Sequence, residues 1–358
     1  MSAVRPAPRD DLRELSGYHS PQVDVPIRLN TNESPYGPPP EFVKAWLAAL
    51  RDVAWNRYPD RSAAELRTAL GAFLGHDPAR ITAGNGSNEV LQTLFLAYGG
   101  PGRRALLFEP TYALHAQIAR TTGTEVVVEP RAADFAIDPV RATATIARTR
   151  PSLVVTCSPN NPTGTVDPAE VTRTLADACE SVGAVLVVDE AYGEFAPWTA
   201  LDLVADDRSI AVVRTYSKVW SLAGLRLGFA VAPEWLGADL AKVQLPYNLS
   251  VPTQVAGTLA LRYRARMEER VAVLGAGREQ LFTGLRACPA VEAFPSGANF
   301  VLFRVTDDAH GLWVRLLDRG VLVRDFSAWP GVEGCLRVTV GTPEENDAFL
   351  EALTEEMA

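Results

Sequence analysis

Ile210 to Phe229 reads IAVVRTYSKVWSLAGLRLGF. Its opening residues, IAVVRT, run apolar without polar alternation until Arg214. A strand buried on both faces reads this way, and such strands belong to mostly parallel sheets flanked by helices. Lys218 follows at the strand's C-terminal end, with Ser217 before it, Val219, Trp220, Leu222 and Ala223 after it, and Arg226 further on. In open α/β sheets ligands bind beyond the C-terminal ends of the strands. Most lysines are solvated surface charges. One set among apolar neighbours loses hydration, its pKa falls and its amine becomes a usable nucleophile.

The same texture extends outward. ALLF (105–108), EVVV (125–128), LVVTC (153–157), AVLVVD (184–189) and LGFAVA (227–232) read as further strands, alternating with helical stretches. FVKAWLAALRDV has helical spacing. SAAELRTALGAFLG (62–75) reads as a helix with a Ser62/Glu65 capping box and Gly75 at its end. DPAEVTRTLADACESVG reads as another, with Asp167 as N-cap, Pro168 at the first helical position and Gly183 as terminator. After about residue 245 the pattern changes. A helical stretch over 252–288 precedes the strands ANFVLFRV (298–305), GVLVRDF (320–326) and CLRVTVG (335–341), with one helix near 310–319. The 358 residues exceed the roughly 250–300 that a single core sustains. The expectation is an α/β fold in two domains: a large, mostly parallel-sheet α/β/α unit over 41–245 and a smaller α+β unit over 246–358. Residues 1–40, rich in Pro and polar residues, form an arm that packs with the small unit.

Composition narrows the function. Hydrophobic content of 47% and charged content of 22% are those of a soluble globular chain. The net charge of −9 repels phosphate backbones, which argues against nucleic acid. No apolar run approaches the roughly 18 residues of a membrane span, and the N-terminus lacks the apolar core of a signal peptide. Cys157, Cys179, Cys288 and Cys335 are scattered without a CxxC pair, and the four histidines form no paired-ligand spacing. Both facts argue against disulfides or zinc and fit a reducing cytoplasm.

Three more motifs stand at strand ends or helix starts. GNGSNEVLQTLFLAY, from Gly84, opens a helix near Asn88, where free N–H groups and the helix dipole favour a phosphate; alone, it reads more readily as an N-cap with a flexible turn. SPNNPTG (158–164) follows the strand LVVTC and offers the Asn161 amide. VVDEAYGEF (187–195) ends an apolar run on Asp189, a carboxylate that is costly to bury unless a cation meets it, with Tyr192 one turn later. A lysine for an aldehyde, an aspartate for a pyridinium proton, and a helix start with Ser and Arg for a phosphate together match pyridoxal 5′-phosphate.

In order along nearly the whole chain, LNTNESPYGPP, RYPD, GNGSNE, EPTY, CSPNNPTG, VVDEAYGEF, RTYSKVWSLAGLRLGF, SGANF and CLRVTVGT resemble the fold-type I pyridoxal-phosphate-dependent aminotransferases, above all the histidinol-phosphate aminotransferase group. The resemblance implies that Lys218 carries the cofactor aldehyde, Asp189 pairs with the pyridine nitrogen, and Asn161 and Tyr192 bind the ring hydroxyl. It implies that Tyr112 stacks on the ring, and that Ser87, Asn88, Ser217 and Arg226 hold the phosphate. Tyr58 then reaches the phosphate of a neighbouring subunit, making a homodimer. Arg337, with Arg324 and Tyr18, serves the anionic ends of the substrate. The implied reaction moves an amino group between L-histidinol phosphate and 2-oxoglutarate. Aromatic aminotransferases and threonine-phosphate decarboxylases share these motifs. A pyridoxal-phosphate-sensing regulator needs a DNA-binding module that residues 1–40 are too short and too Pro-rich to form. Two positions depart from many relatives: Val219 replaces a small residue and is expected to narrow the space beside the lysine, and Asn88 replaces an Asp.

Overall fold

The computed structural model describes residues 6–13, 15, 17 and 21–357. Tyr18 lies outside the described residues. Along the chain run strand β1 (Ile27–Leu29), helices α1 (Pro40–Ala49) and α2 (Ala64–Leu74), β2 (Ile81–Gly84), α3 (Gly86–Tyr98), β3 (Arg104–Glu109), α4 (Leu114–Thr121), β4 (Glu125–Pro130) and α5 (Pro139–Thr149). There follow β5 (Leu153–Cys157), α6 (Ala169–Val182), β6 (Val185–Asp189), β7 (Ile210–Thr215), β8 (Gly228–Val231), α7 (Glu234–Val243), α8 (Val251–Ala260) and α9 (Arg264–Arg286). The chain ends with β9 (Val291–Ala293), β10 (Phe300–Val305), α10 (Ala309–Asp318), β11 (Val321–Asp325), β12 (Cys335–Thr339) and α11 (Pro343–Met357).

Seven strands form one sheet in the order β2-β8-β7-β6-β5-β3-β4. β4, β3, β5, β6 and β7 are parallel, while β8 runs antiparallel to both of its neighbours. The reason for the continuous apolar runs is visible in the packing. Leu106, Val154, Leu186, Val188 and Val212 enter the core on one face; Leu107, Val155, Val187, Ala211 and Val213 enter a second core on the other. Successive side chains point to opposite faces, so a strand covered on both sides needs apolar residues at every position. In register, Cys157 lies beside Asp189, and Asp189 beside Val213. The loops carrying Asn161, Tyr192 and Lys218 therefore leave the same end of the sheet.

A second sheet, β1-β11-β12-β10-β9, is antiparallel except for β1, which runs parallel to β11. Val301, Phe303, Val321, Val323, Leu336 and Val338 turn one of its faces onto a core completed by Leu274, Leu281, Leu312 and Phe349. Alternation sends Arg324 and Arg337, paired directly across β11 and β12, to the opposite face.

Several local expectations are corrected. Ser62 does not cap α2: Asp60 accepts from the N–H of Ser62 (2.9 Å) and Ala64 (2.7 Å), while Ala63 takes the N-cap position at φ 47°. Asp167 does not cap α6 either. It is drawn into a buried pair with Arg131 (2.9 Å), because a buried guanidinium needs a carboxylate, and Pro168 becomes the N-cap. The helical stretch 252–288 is broken by a 3₁₀ turn, Leu261–Tyr263. α8 packs on α1 and α2, adding Ala256 and Ala260 to the large sheet's core, whereas α9 packs on α11 and β10; one straight helix cannot do both. Strands β1, β2 and β9 are additions to the sequence reading.

Candidate functional site

A cavity of about 350 Å³ opens beyond the C-terminal ends of the parallel strands, against the second face of the small sheet. Its lining brings together Lys218, Asp189, Tyr192, Asn161, Tyr112, Ser87, Asn88, Ser217, Arg226, Arg324 and Arg337. Among the described residues no helix is long and apolar enough to cross a membrane, and no cluster of metal-ligating side chains occurs.

Asp189, at the end of β6, is buried with two partners. Oδ1 accepts from Ala191 N (3.1 Å), and Oδ2 lies 2.9 Å from His115 Nε2. His115 Nδ1 has no partner among the described residues, so the tautomer that fits carries its proton on Nε2 and donates it to Asp189. Sequence reasoning missed His115. Its signal was its place three residues after Tyr112, whose ring meets the imidazole edge-on at 5.5 Å.

Lys218 Nζ donates to Thr31 O (3.0 Å) and lies 5.6 Å from the centre of the Tyr192 ring. Burial, helped by the positive charges of Arg337 and Arg226, brings its pKa down from 10.5 to about 8. A lysine so placed holds roughly a tenth of its amine free at pH 7, against well under a thousandth for an ordinary lysine.

At the other end, α3 has no side-chain cap, which leaves its first-turn N–H groups directed at the space lined by Ser87 and Asn88. Arg226 Nη1 donates to Ser217 Oγ (3.2 Å), which also accepts from Thr215 Oγ1 (2.9 Å). Two glycines allow the approach: a Cβ at Gly86 would run into the Arg226 guanidinium, and one at Gly228 into the backbone of Ser87. This cradle can hold a phosphate, Lys218 an aldehyde, and Asp189 a pyridinium.

The stretch that follows β1 supplies contacts that sequence reading also missed. Asn30 O accepts from Arg337 Nη2 (2.8 Å), Thr31 O from Lys218, and Asn32 Nδ2 donates to the Tyr192 hydroxyl (2.8 Å). Arg337 Nη1 donates to Asn161 Oδ1, so Asn161 has its amide NH₂, a donor, to offer a ligand. The Arg337 guanidinium lies over Phe300 (4.9 Å) and Phe326 (5.3 Å). Phe326 and Trp329, in the loop after β11, add an aromatic wall.

Two expected residues are not gathered there. Tyr58 is 80% exposed, stacked on Tyr247 at 4.7 Å, and does not line this chain's cavity. Val219 does not narrow the space beside Lys218; its side chain is buried in the large core with Tyr216 and Trp220, because the turn after β7 sends it inward.

The model for aminotransferase class I and II matches residues 24–353. A histidinol-phosphate aminotransferase of Thermobifida fusca is 47% identical over 352 residues, covering 96% of this chain and 94% of its own. One from Streptomyces avermitilis is 47% identical, covering 97% and 95%. The crystal structure of histidinol-phosphate aminotransferase from Sinorhizobium meliloti in complex with pyridoxal-5′-phosphate superimposes with a TM-score of 0.85 at 26% identity, covering 93% of this chain and 91% of that one. With the motifs, the doubly covered sheet and a family match over most of its length, the chain belongs to the aminotransferase class I and II family.

Proposed function

We propose that this chain is a pyridoxal-phosphate-dependent aminotransferase that interconverts L-histidinol phosphate and 2-oxoglutarate with imidazole-acetol phosphate and glutamate, in L-histidine biosynthesis. The carrying observation is that one cavity joins a lysine depressed to about 8, a buried aspartate and an uncapped helix start beside Arg226. These fit pyridoxal phosphate in chemistry: an amine, a carboxylate and a phosphate cradle. The relatives' names support a substrate that carries a phosphate, and the cross-strand arginines Arg324 and Arg337 supply positive charge for an anionic substrate group.

When bound, pyridoxal phosphate supplies an aldehyde for the substrate amine and an electron-accepting ring. Lys218 would be the residue that holds this aldehyde. With its amine free, Lys218 Nζ would serve as the general base that takes the proton from the substrate Cα. Asp189, aligned by His115, would favour a proton on the pyridine nitrogen by Coulomb attraction in a desolvated site. Tyr112 would lie against the ring, and Asn161 and Tyr192 would donate to the ring oxygen. Ser87, Asn88, Ser217 and Arg226 hold the phosphate. Arg337 and Arg324 bind the carboxylate of glutamate or the phosphate of histidinol phosphate.

The working unit in this reading is a cytoplasmic homodimer. The exposed ring pair Tyr58–Tyr247, beside exposed Trp55 and Leu245, fits a surface covered by a second copy, with Tyr58 meeting the neighbour's cofactor phosphate. Light scattering at twice the chain mass, and a weaker hold on the cofactor in Tyr58→Phe, are the expected results. For the reaction, initial rates with both substrates varied should give the parallel lines of a ping-pong enzyme. Release of carbon dioxide from threonine phosphate, without need of an oxo acid, would transfer the chain to the decarboxylases.

A further inference from the structure

Asn32 is 1% exposed and sits at φ 56°, in the left-handed region that Asn tolerates better than most residues. Its N–H donates to Thr339 Oγ1 (3.0 Å), and its carbonyl accepts from Asn299 Nδ2 (3.2 Å). Thr339 Oγ1 returns its single proton to Asn32 Oδ1 (2.9 Å). That exchange fixes which way the amide points. Oδ1 faces Thr339, so Nδ2 faces Tyr192 at 2.8 Å. A donor meets the phenol, so the phenol oxygen must accept. Its own proton is then left for a third group, and Tyr192 lines the cavity beside Asp189, Asn161 and Lys218.

Resting on the function proposed above, we infer that Asn32 is a positioning residue that sets the polarity of the Tyr192 hydroxyl, directing its proton at the ring oxygen of pyridoxal phosphate. Burial raises the phenol's pKa well above its ordinary value, so Tyr192 has that proton to give at working pH. The other charged or titratable groups around Tyr192 are Arg337, Cys157, Tyr112 and Lys218. The same residue joins the two sheets, because Thr339 and Asn299 belong to the small sheet and its approach, whereas Tyr192 follows β6. A purely structural Asn32 would use only those small-sheet bonds.

The test uses full-length enzyme loaded with pyridoxal phosphate and reads the pH midpoint of the bound cofactor's visible absorbance change. A hydrogen bond donated to the ring oxygen favours its anionic form and holds the midpoint down. Asn32→Asp keeps an oxygen for Thr339 and tolerates the backbone conformation, but presents an acceptor to Tyr192 and turns its proton away from the ring. Asn32→Gly tolerates the same backbone and removes the side chain. Tyr192→Phe removes the donor itself. The midpoint is expected to rise by about one pH unit in Asn32→Asp, matching Tyr192→Phe, and by less in Asn32→Gly. Adding Asn32→Gly to Tyr192→Phe should shift it no further. Midpoints of Asn32→Asp and Asn32→Gly equal to wild type, or full additivity with Tyr192→Phe, would overturn the assignment. A wild-type chain that binds no pyridoxal phosphate shows no band at all, which defeats the functional reading and this inference with it.

Discussion

Asp189 and Glu190 are adjacent, and each is 2% exposed, yet their surroundings differ. Glu190 accepts from Arg214 Nη2 (2.6 Å) and Nε (2.9 Å), from Thr199 Oγ1 (2.8 Å) and from Ala200 N (2.6 Å). Arg214 also touches Glu194 at 3.4 Å, whose carboxyl burial pushes toward the neutral form. Asp189 is met by a backbone N–H and an imidazole, and it lines the cavity. Burial alone therefore does not mark a functional carboxylate. Glu190 has a permanent cation of its own and braces the strand ends. Asp189 has none so close, and is suited to receive one that arrives with a ligand.

The contrast separates residues that do chemistry from residues that frame it. On the chemical side, Lys218→Ala should reduce turnover on the order of 10⁴-fold or more while the chain keeps its fold, as stopped-time assays and circular dichroism can show. Near-native rates would remove the lysine from the account. Asp189→Ala should still bind pyridoxal phosphate, but single-turnover rates should fall roughly 10²-fold or more, with little change in Tm. Glu190→Gln should do the reverse. It leaves Arg214 poorly compensated in the interior and is expected to lose about 3 kcal/mol of stability in urea melts, with kcat of the folded fraction near wild type. Equal losses of stability and of rate in both carboxylate variants would erase the distinction.

The smallest effect concerns pH. Lys218 has a folded-state pKa of about 8 against 10.5 ordinarily, so below pH 8 the folded chain carries a disfavoured charge that the unfolded chain carries freely. Above 8 the folded state sheds that proton first, and the penalty is relieved as pH approaches 10.5. In the cofactor-free chain, Lys218→Met should therefore melt higher than wild type below pH 8, and the difference should close between pH 8 and 10.5. A constant difference in Tm across that range would mean that the lysine's charge is not what burial penalises.

How much of this was legible in the sequence depended on whether each signal was local. LVVTC and IAVVRT show their double-faced burial in six residues or fewer, and the structure places strands over those same spans. Asp189 stood out because it ends an apolar run with a charge, and Lys218 because it follows a strand end among apolar neighbours. β1 did not stand out: IRL is short, lies in a Pro-rich segment, and becomes a strand only when Val321 to Val323 arrive from the far end of the chain. His115 is separated from Asp189 by 74 residues and has no pattern of its own. Asp167 followed by Pro and Glu carries every local mark of an N-cap, but the tertiary demand of Arg131 prevailed. Asn32 was read within a family motif, and its role is visible only through Thr339 and Tyr192.

The most direct measurement mixes cofactor-loaded enzyme with L-histidinol phosphate, in the absence of any oxo acid, and follows the visible spectrum, with phenylalanine in a parallel cell. The account predicts rapid loss of the cofactor's visible band with L-histidinol phosphate alone, and its return when 2-oxoglutarate is added. A band that persists with L-histidinol phosphate and disappears only with phenylalanine would contradict the proposed substrate and make the chain an aromatic aminotransferase.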